Sequence, residues 1–182
     1  VRIVPLDVAD PESIAQAAAL VADETDALDL LINNAGVDGG AGQDGFANTN
    51  METLVNTFRI NTAGPHLMTQ AFADLLQAAP EATVVNITSQ LGSIANTQGG
   101  TWQSYKISKA ALNMATRLQA GSLGDSVTVV AMHPGWVQTD MGGPNARVTP
   151  QDAVAGMMEV IDALGPEDHG AFRTFDGGSL PW

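Results

Sequence analysis

Cysteine is absent from the 182 residues, which excludes disulfides, thiolate metal ligands and a cysteine nucleophile. Basic residues are scarce as well: 7 lysines and arginines stand against 20 acids, and the resulting charge of −13 repels nucleic acid and anionic lipid. The three histidines, His66, His133 and His169, are too scattered to suggest a metal cluster. No run approaches the roughly 18 apolar residues needed to cross a bilayer, and no basic-then-apolar leader opens the sequence. The expectation is one soluble domain spanning 1–182, in a reducing cytoplasm, with no metal and no nucleic-acid or membrane partner. Tyrosine is nearly absent too. The single one, Tyr105, lies beside the only two lysines, Lys106 and Lys109, in "SYKISKAALN".

What is present reads as alternating strands and helices. Four apolar runs rich in β-branched residues read as strands: "VRIVPL" (1–6), "LDLLIN" (28–33), "ATVVNIT" (82–88) and "SVTVVAM" (126–132). A fifth, "AFRTF" (171–175), follows near the end. Several are too continuously apolar to bury one face only, which suits a parallel sheet covered on both sides. Helix-length patterns fill the intervals at 11–24, 50–78, 102–123 and 150–164, the last with Thr149 as cap and Pro150 in its first turn. Such alternation specifies right-handed βαβ crossovers and an α/β, doubly wound parallel sheet of Rossmann type, with ligands at the carboxyl ends of its strands. The opening "VRIVPLDV" reads as a buried strand with no lead-in, so the chain is expected to be a fragment.

The unusual residues collect on that one rim: Asp7, "NNAG" (33–36), "TSQLGS" (88–93) and "HPGWVQTD" (133–140). The glycine-rich "GGAGQDG" (39–45) reads as a loop. Tyr105 and Lys109 are four residues apart, so on a helix they share a face with Cβ atoms roughly 5–6 Å apart. An exposed pair without function is the alternative at this point. Bringing a phenol from a pKa near 10 to about 7 takes roughly 4 kcal/mol. One positive charge about 6 Å away supplies about 3 kcal/mol at an effective dielectric of about 20. Tyr105 is therefore a candidate proton donor and acceptor near neutrality.

Ser89, at the end of a strand, can hydrogen-bond a carbonyl or cap a turn. Asn61, in "RINTAGP", sits where Gly64 and Pro65 predict a helix kink and unpaired carbonyls, a place for a held water or simply a solvent-facing amide. Ala35 and Gly36 are small enough to admit a ligand or another backbone. Thr139 is aimed at the rim if its strand is parallel, and His133 reads as structural.

Taken in order, "LDV", "NNAG", "RINTAGP", "NITSQLGS", "YKISK" and "PGWVQTDMGG" resemble the short-chain dehydrogenase/reductase family nearly end to end, in the branch of C-factor-like proteins and small carbonyl reductases. The resemblance implies an NAD(P)-dependent oxidoreductase acting on a small carbonyl or alcohol, with NADP favoured over NAD. It makes Tyr105 the general acid/base and has Lys109 lower the phenol's pKa and bind the nicotinamide ribose. Ser89 would orient the carbonyl, and Asn61 would hold a water. It implies Asp7 and Val8 at adenine, Asn33, Ala35 and Gly36 by the ribose and diphosphate, and Pro134, Gly135, Val137 and Thr139 around the nicotinamide. Gln90, Leu91, Ile94, Trp102, Trp136 and Met141 would surround the substrate, and helices 50–78 and 102–123 would form a homo-oligomer face.

One departure stands against this. The family's glycine-rich phosphate loop, T-G-x-x-x-G-x-G, has no match here. An absent first β-α-β unit would explain it, making the fold N-terminally truncated and leaving a gap of roughly 14 Å between Val1–Leu6 and the next strand. Weak dinucleotide binding, unpaired sheet edges, and the rival readings of a C-factor-like signalling protein or an inactive fragment all follow from that absence.

Overall fold

The computed structural model describes residues 1–40 and 43–182. Four parallel strands, β1 (Leu30–Asn33), β2 (Ala82–Ile87), β3 (Val127–His133) and β4 (Phe172–Thr174), lie side by side in chain order. Their register places Asn33 beside Asn86 and Ala131 beside Phe172. The crossovers are helical: α2 (Met51–Phe58), α3 (Gly64–Ala71) and α4 (Ala73–Ala78) between β1 and β2, α5 (Gln103–Leu123) before β3, and α6 (Pro150–Asp162) before β4.

The continuous apolar runs have the two-sided burial that their pattern requires. Leu31, Val84, Val127 and Val129 face one side and meet Met68, Phe72, Leu76, Ala120 and Leu123, together with Ile14 of α1 (Pro11–Ala22). The alternate residues Val85, Ile87, Val130 and Met132 face the other side, against Met157, Val160, Ile161 and Leu164 of α6 and its end. Helix starts follow their caps: the carboxylate of Asp10 accepts from Glu12 N, Asn50 Oδ1 from Thr53 N, and Thr149 Oγ1 from Asp152 N.

Three expectations change. Val1–Leu6 forms no strand: Val1 and Ile3 are exposed, and the segment pairs with no ladder among the described residues. An apolar run becomes a strand only where a neighbour accepts its hydrogen bonds, and β1, whose Ile32 is exposed, pairs with β2 alone. The single helix expected at 50–78 is four pieces, because Arg59–Ala63 winds as a π-helical turn and Phe72 leaves helical geometry. Trp102 lies outside α5, as its left-handed cap residue at φ 64°. In the 39–45 loop, residues 41–42 lie outside the described residues.

Candidate active site

The carboxyl end of β2 and the first two turns of α5 build the centre. Tyr105 and Lys109 lie on the buried face of α5, which rules out the exposed pair: Lys109 is only 3% exposed and Tyr105 8%. Lys109 Nζ donates to the Ile87 carbonyl at 2.8 Å and stands 5.7 Å from the centroid of the Tyr105 ring. Thr88 Oγ1 donates to Asn113 Oδ1 at 2.7 Å, a second stitch between β2 and α5. Gly92 brings the following turn hard against the helix, since a Cβ there would lie within 2.9 Å of Lys109 main-chain and Cβ atoms. This close approach brings Ser89 near enough to the phenol for its hydroxyl to lower the Tyr105 pKa. Ser89 also caps its own 3-10 turn by accepting from Leu91 N at 3.2 Å.

Asn61 is fully buried, so the solvent-facing alternative is gone. It lies in the π-helical turn, where the Gly64-Pro65 pattern predicts a disturbed helix. Its Oδ1 accepts from Val37 N at 2.8 Å, while Nδ2 donates to Val37 O at 2.8 Å and to Ser108 Oγ at 3.0 Å. Ser108 Oγ in turn donates to the Tyr105 carbonyl at 2.8 Å. Both amide hydrogens are therefore used in tying the loop after β1 to the helix of the tyrosine. The side chain acts as a bracket between the two segments.

The electrostatics depart from the expectation. Burial pushes the Tyr105 phenol above its usual value; the Ser89 hydrogen bond pulls it back, and the charge of Asp38 pushes it up again. Burial also lowers Lys109 to about 8. The ammonium is spent on the Ile87 carbonyl, so in the chain by itself it does not make the phenol acidic. Desolvation outweighs the charge interaction on which the sequence argument relied.

The remaining expected residues divide. Ala35 and Gly36 lie exposed on the rim, and a Cβ on Gly36 would sit 3.6 Å from Lys109 Nζ and 3.3 Å from Asn61 Oδ1. The missing side chain leaves a cradle beside the ammonium of a size and chemistry that suit a ribose hydroxyl. Asn33 is different: its amide donates to Asn86 Oδ1 at 2.9 Å and Thr69 Oγ1 at 3.1 Å, inside the protein, so its side chain is not part of the rim. Asp7 accepts from Ala9 N at 2.8 Å, and Val8 presses on Gly64, where a Cβ would come 2.8 Å from the Val8 carbonyl. Pro134, Gly135, Val137 and Thr139 belong to the segment between β3 and α6, where Val137 bridges to Val148 and Thr139 Oγ1 accepts from Gly142 N at 3.2 Å. His133 is neutral, held at about 4 by burial despite the nearby Asp176.

Ile94, Trp136 and Met141 are exposed near these loops, and Trp102 meets Tyr105 edge-on with centroids 5.7 Å apart. Cavities of about 520 Å³, between α6 and the end of β4, and about 320 Å³, beside Val37 and Asp38, are lined by neither Ser89, Tyr105 nor Lys109. Two contributors escaped the sequence reading. Asp38, two residues after Gly36, carries the charge that reaches the phenol, and its position just beyond "NNAG" could have marked it. Asp44 Oδ2 accepts from Ser104 N at 2.6 Å at the start of α5, a pairing across 60 residues for which the sequence holds no signal.

A family model described as short chain dehydrogenase matches residues 1–148. C-signal of Myxococcus xanthus is 44% identical over 163 residues, covering 87% of this chain and 95% of that protein. The 1-hydroxy-2-glutathionyl-2-methyl-3-butene dehydrogenase of Rhodococcus sp. (strain AD45) is 34% identical over 182 residues, covering 97% of this chain and 78% of that one. The NADPH-bound carbonyl reductase from chicken fatty liver superposes with a TM-score of 0.93 at 40% identity, covering 100% of this chain and 77% of that chain. With a family model over residues 1–148 and the fold in agreement, the chain belongs to the short-chain dehydrogenase/reductase family of oxidoreductases.

Proposed function

We propose that this protein is a carbonyl reductase or alcohol dehydrogenase of small molecules, using NADP in preference to NAD and working as one dinucleotide-binding domain in a reducing cytoplasm. The observation that carries the reading is the buried Tyr105 phenol, within reach of Ser89 and with the Lys109 amine 5.7 Å from its ring centroid. The preference for NADP is supported by the chicken enzyme, whose structure holds NADPH, and by a Burkholderia multivorans homologue at 27% identity with bound NADP.

The dinucleotide, when bound, supplies the hydride for carbonyl reduction and accepts it in alcohol oxidation. Ser89 Oγ and Tyr105 Oη would both donate to the oxygen of a substrate carbonyl. The phenol, kept protonated by burial, transfers its proton to that oxygen as negative charge develops there. Lys109 holds its ammonium beside the Gly36 cradle, placed to grip a ribose hydroxyl. Ala35 and Gly36 would border the ribose and diphosphate, Asp7 and Val8 the adenine, and Pro134, Gly135, Val137 and Thr139 the nicotinamide. Gln90, Leu91, Ile94, Trp102, Trp136 and Met141 would form the substrate's apolar surroundings. The exposed apolar residues of α2 (Met51, Val55, Phe58) and α5 (Ile107, Met114, Leu118) suit a homo-oligomer contact.

No residue of the chain supplies a T-G-x-x-x-G-x-G phosphate loop. Dinucleotide affinity of the 182 residues alone is therefore low, and a form extended upstream by a glycine-rich β-α-β unit binds far more tightly. The test is NADPH consumption with a panel of aldehydes and ketones, in both forms, with and without Tyr105→Phe. Turnover by the extended form is expected to drop by at least about a thousandfold in Tyr105→Phe. Turnover that survives this substitution rejects the assignment of the phenol. Tight NADPH binding without turnover on any carbonyl favours a signalling role, the second reading, which the similarity to C-signal supports.

A further inference from the structure

Leu180–Trp182 makes contacts that neither the sheet nor the proposed chemistry requires. Leu180 N donates to the Phe172 carbonyl on β4 at 2.9 Å, and the Trp182 ring stacks on the buried Phe172 ring with centroids 5.3 Å apart and planes 25° off parallel. From that anchorage two consecutive carbonyls reach the segment that follows Ser89. Pro181 O accepts from Ser93 Oγ at 2.7 Å, and Trp182 O accepts from Ala95 N at 2.9 Å. Ser93 is fully buried and organises its own loop: its Oγ accepts from Asn96 N at 3.3 Å and its carbonyl from Thr97 Oγ1 at 2.8 Å.

The opposite side of the same segment is gripped by α5, through the close approach of Gly92 to Lys109 and the 3.1 Å hydrogen bond from Asn113 Nδ2 to Gly92 O. Residues 89–97 are thus held between two supports. Pro181, with its fixed φ and no N–H, stiffens the outer one. Ser93 is only four residues from the hydroxyl that meets Tyr105, and Ile94, between the two gripped residues, is exposed. We infer that Leu180–Trp182 is a strap that positions the Ser89–Ala95 segment, and that Trp182 is a positioning residue for carbonyl binding through its stack on Phe172. The inference rests on the reading of Ser89 and Tyr105 as the reactive pair, and it adds a residue at the far end of the sequence to that site.

Two readouts test it, one of them free of catalysis. In the 182-residue chain, amide hydrogen exchange at Ala95 and Asn96 is expected to quicken by about tenfold or more in Trp182→Ala and in Ser93→Ala. Trp182→Phe restores protection, and the amides of β2 and α5 keep theirs. Unchanged exchange at Ala95, or equal acceleration throughout β2 and α5, overturns the strap. In the form extended upstream, Trp182→Ala is expected to lower kcat/KM for the carbonyl by about tenfold with NADPH affinity unchanged. Wild-type kinetics in Trp182→Ala, alongside an inactive Tyr105→Phe, would overturn the strap and leave the site standing. Full activity in Tyr105→Phe would overturn the site, while the exchange result still decides the strap.

Discussion

Lys109→Met exchanges chemistry for stability in an amount the structure sets. Burial lowers the Lys109 ammonium from 10.5 to about 8, which corresponds to about 3 kcal/mol of preference for the neutral amine in the folded state. That cost is fully present below pH 8, where folded and unfolded chains are both charged. It shrinks between pH 8 and 10.5, where only the unfolded chain holds the proton, and is gone above 10.5. Wild-type stability therefore rises with pH across this window. Methionine keeps the unbranched stem and removes the charge, but leaves the Ile87 carbonyl without its 2.8 Å donor, a loss of about 1–3 kcal/mol. The variant is expected to match or exceed wild type at pH 7, and to fall below it by up to about 2 kcal/mol near pH 10. Urea unfolding of both proteins at intervals from pH 7 to 10 measures the difference, which should change by about 2.5 kcal/mol over the range. The raised phenol of Tyr105 weakens the fold only above pH 10 and is common to both proteins. Parallel curves for the two would refute the argument, since they would mean that the amine bears no burial cost.

His133 acts in the same sense at the acid end. Its pKa is lowered to about 4, so stability is lost as pH falls from 6.5 towards 4, and urea unfolding of His133→Gln should show a flatter acid profile over that interval. The pH profile of alcohol oxidation, which needs the phenolate, should move to lower pH in Asp38→Asn, because the Asp38 charge raises Tyr105. It should move to higher pH in Ser89→Ala, because the serine hydrogen bond lowers it. Shifts in the reverse directions would refute this account of the site's electrostatics.

The placement of the candidate site residues was legible because its signals are local. A spacing of four puts Tyr105 and Lys109 on one helical face, and the end of an apolar run puts Ser89 at a strand's carboxyl end; both hold whatever surrounds them. The interior of the sheet was legible for a similar reason: Val84 and Val85, or Val129 and Val130, can both be buried only if helices cover both faces. What failed depended on partners distant in sequence. Val1–Leu6 has the composition of a strand but no described neighbour to pair with, and the amide of Asn33 points into a network with Asn86 and Thr69 that a terminal "NN" cannot announce. The direction of the Tyr105 pKa failed for a related reason, because spacing places a charge without revealing how much water has been removed from around the phenol.

The winding at Arg59–Ala63 has a consequence for how the chain can vary. A π-helical turn holds one residue more than the α-helix around it, and each α-helical residue rotates its successor by about 100°. Deleting one residue there would relax the winding to an ordinary α-helical turn and leave Met68 and Phe72 facing the sheet, whereas inserting one would swing everything downstream by that angle and carry both off it. An insertion in these five positions is thus a whole-fold event while a single deletion is absorbed by the turn, and either change a few residues earlier, in the loop leading to Met51, shifts no packed face.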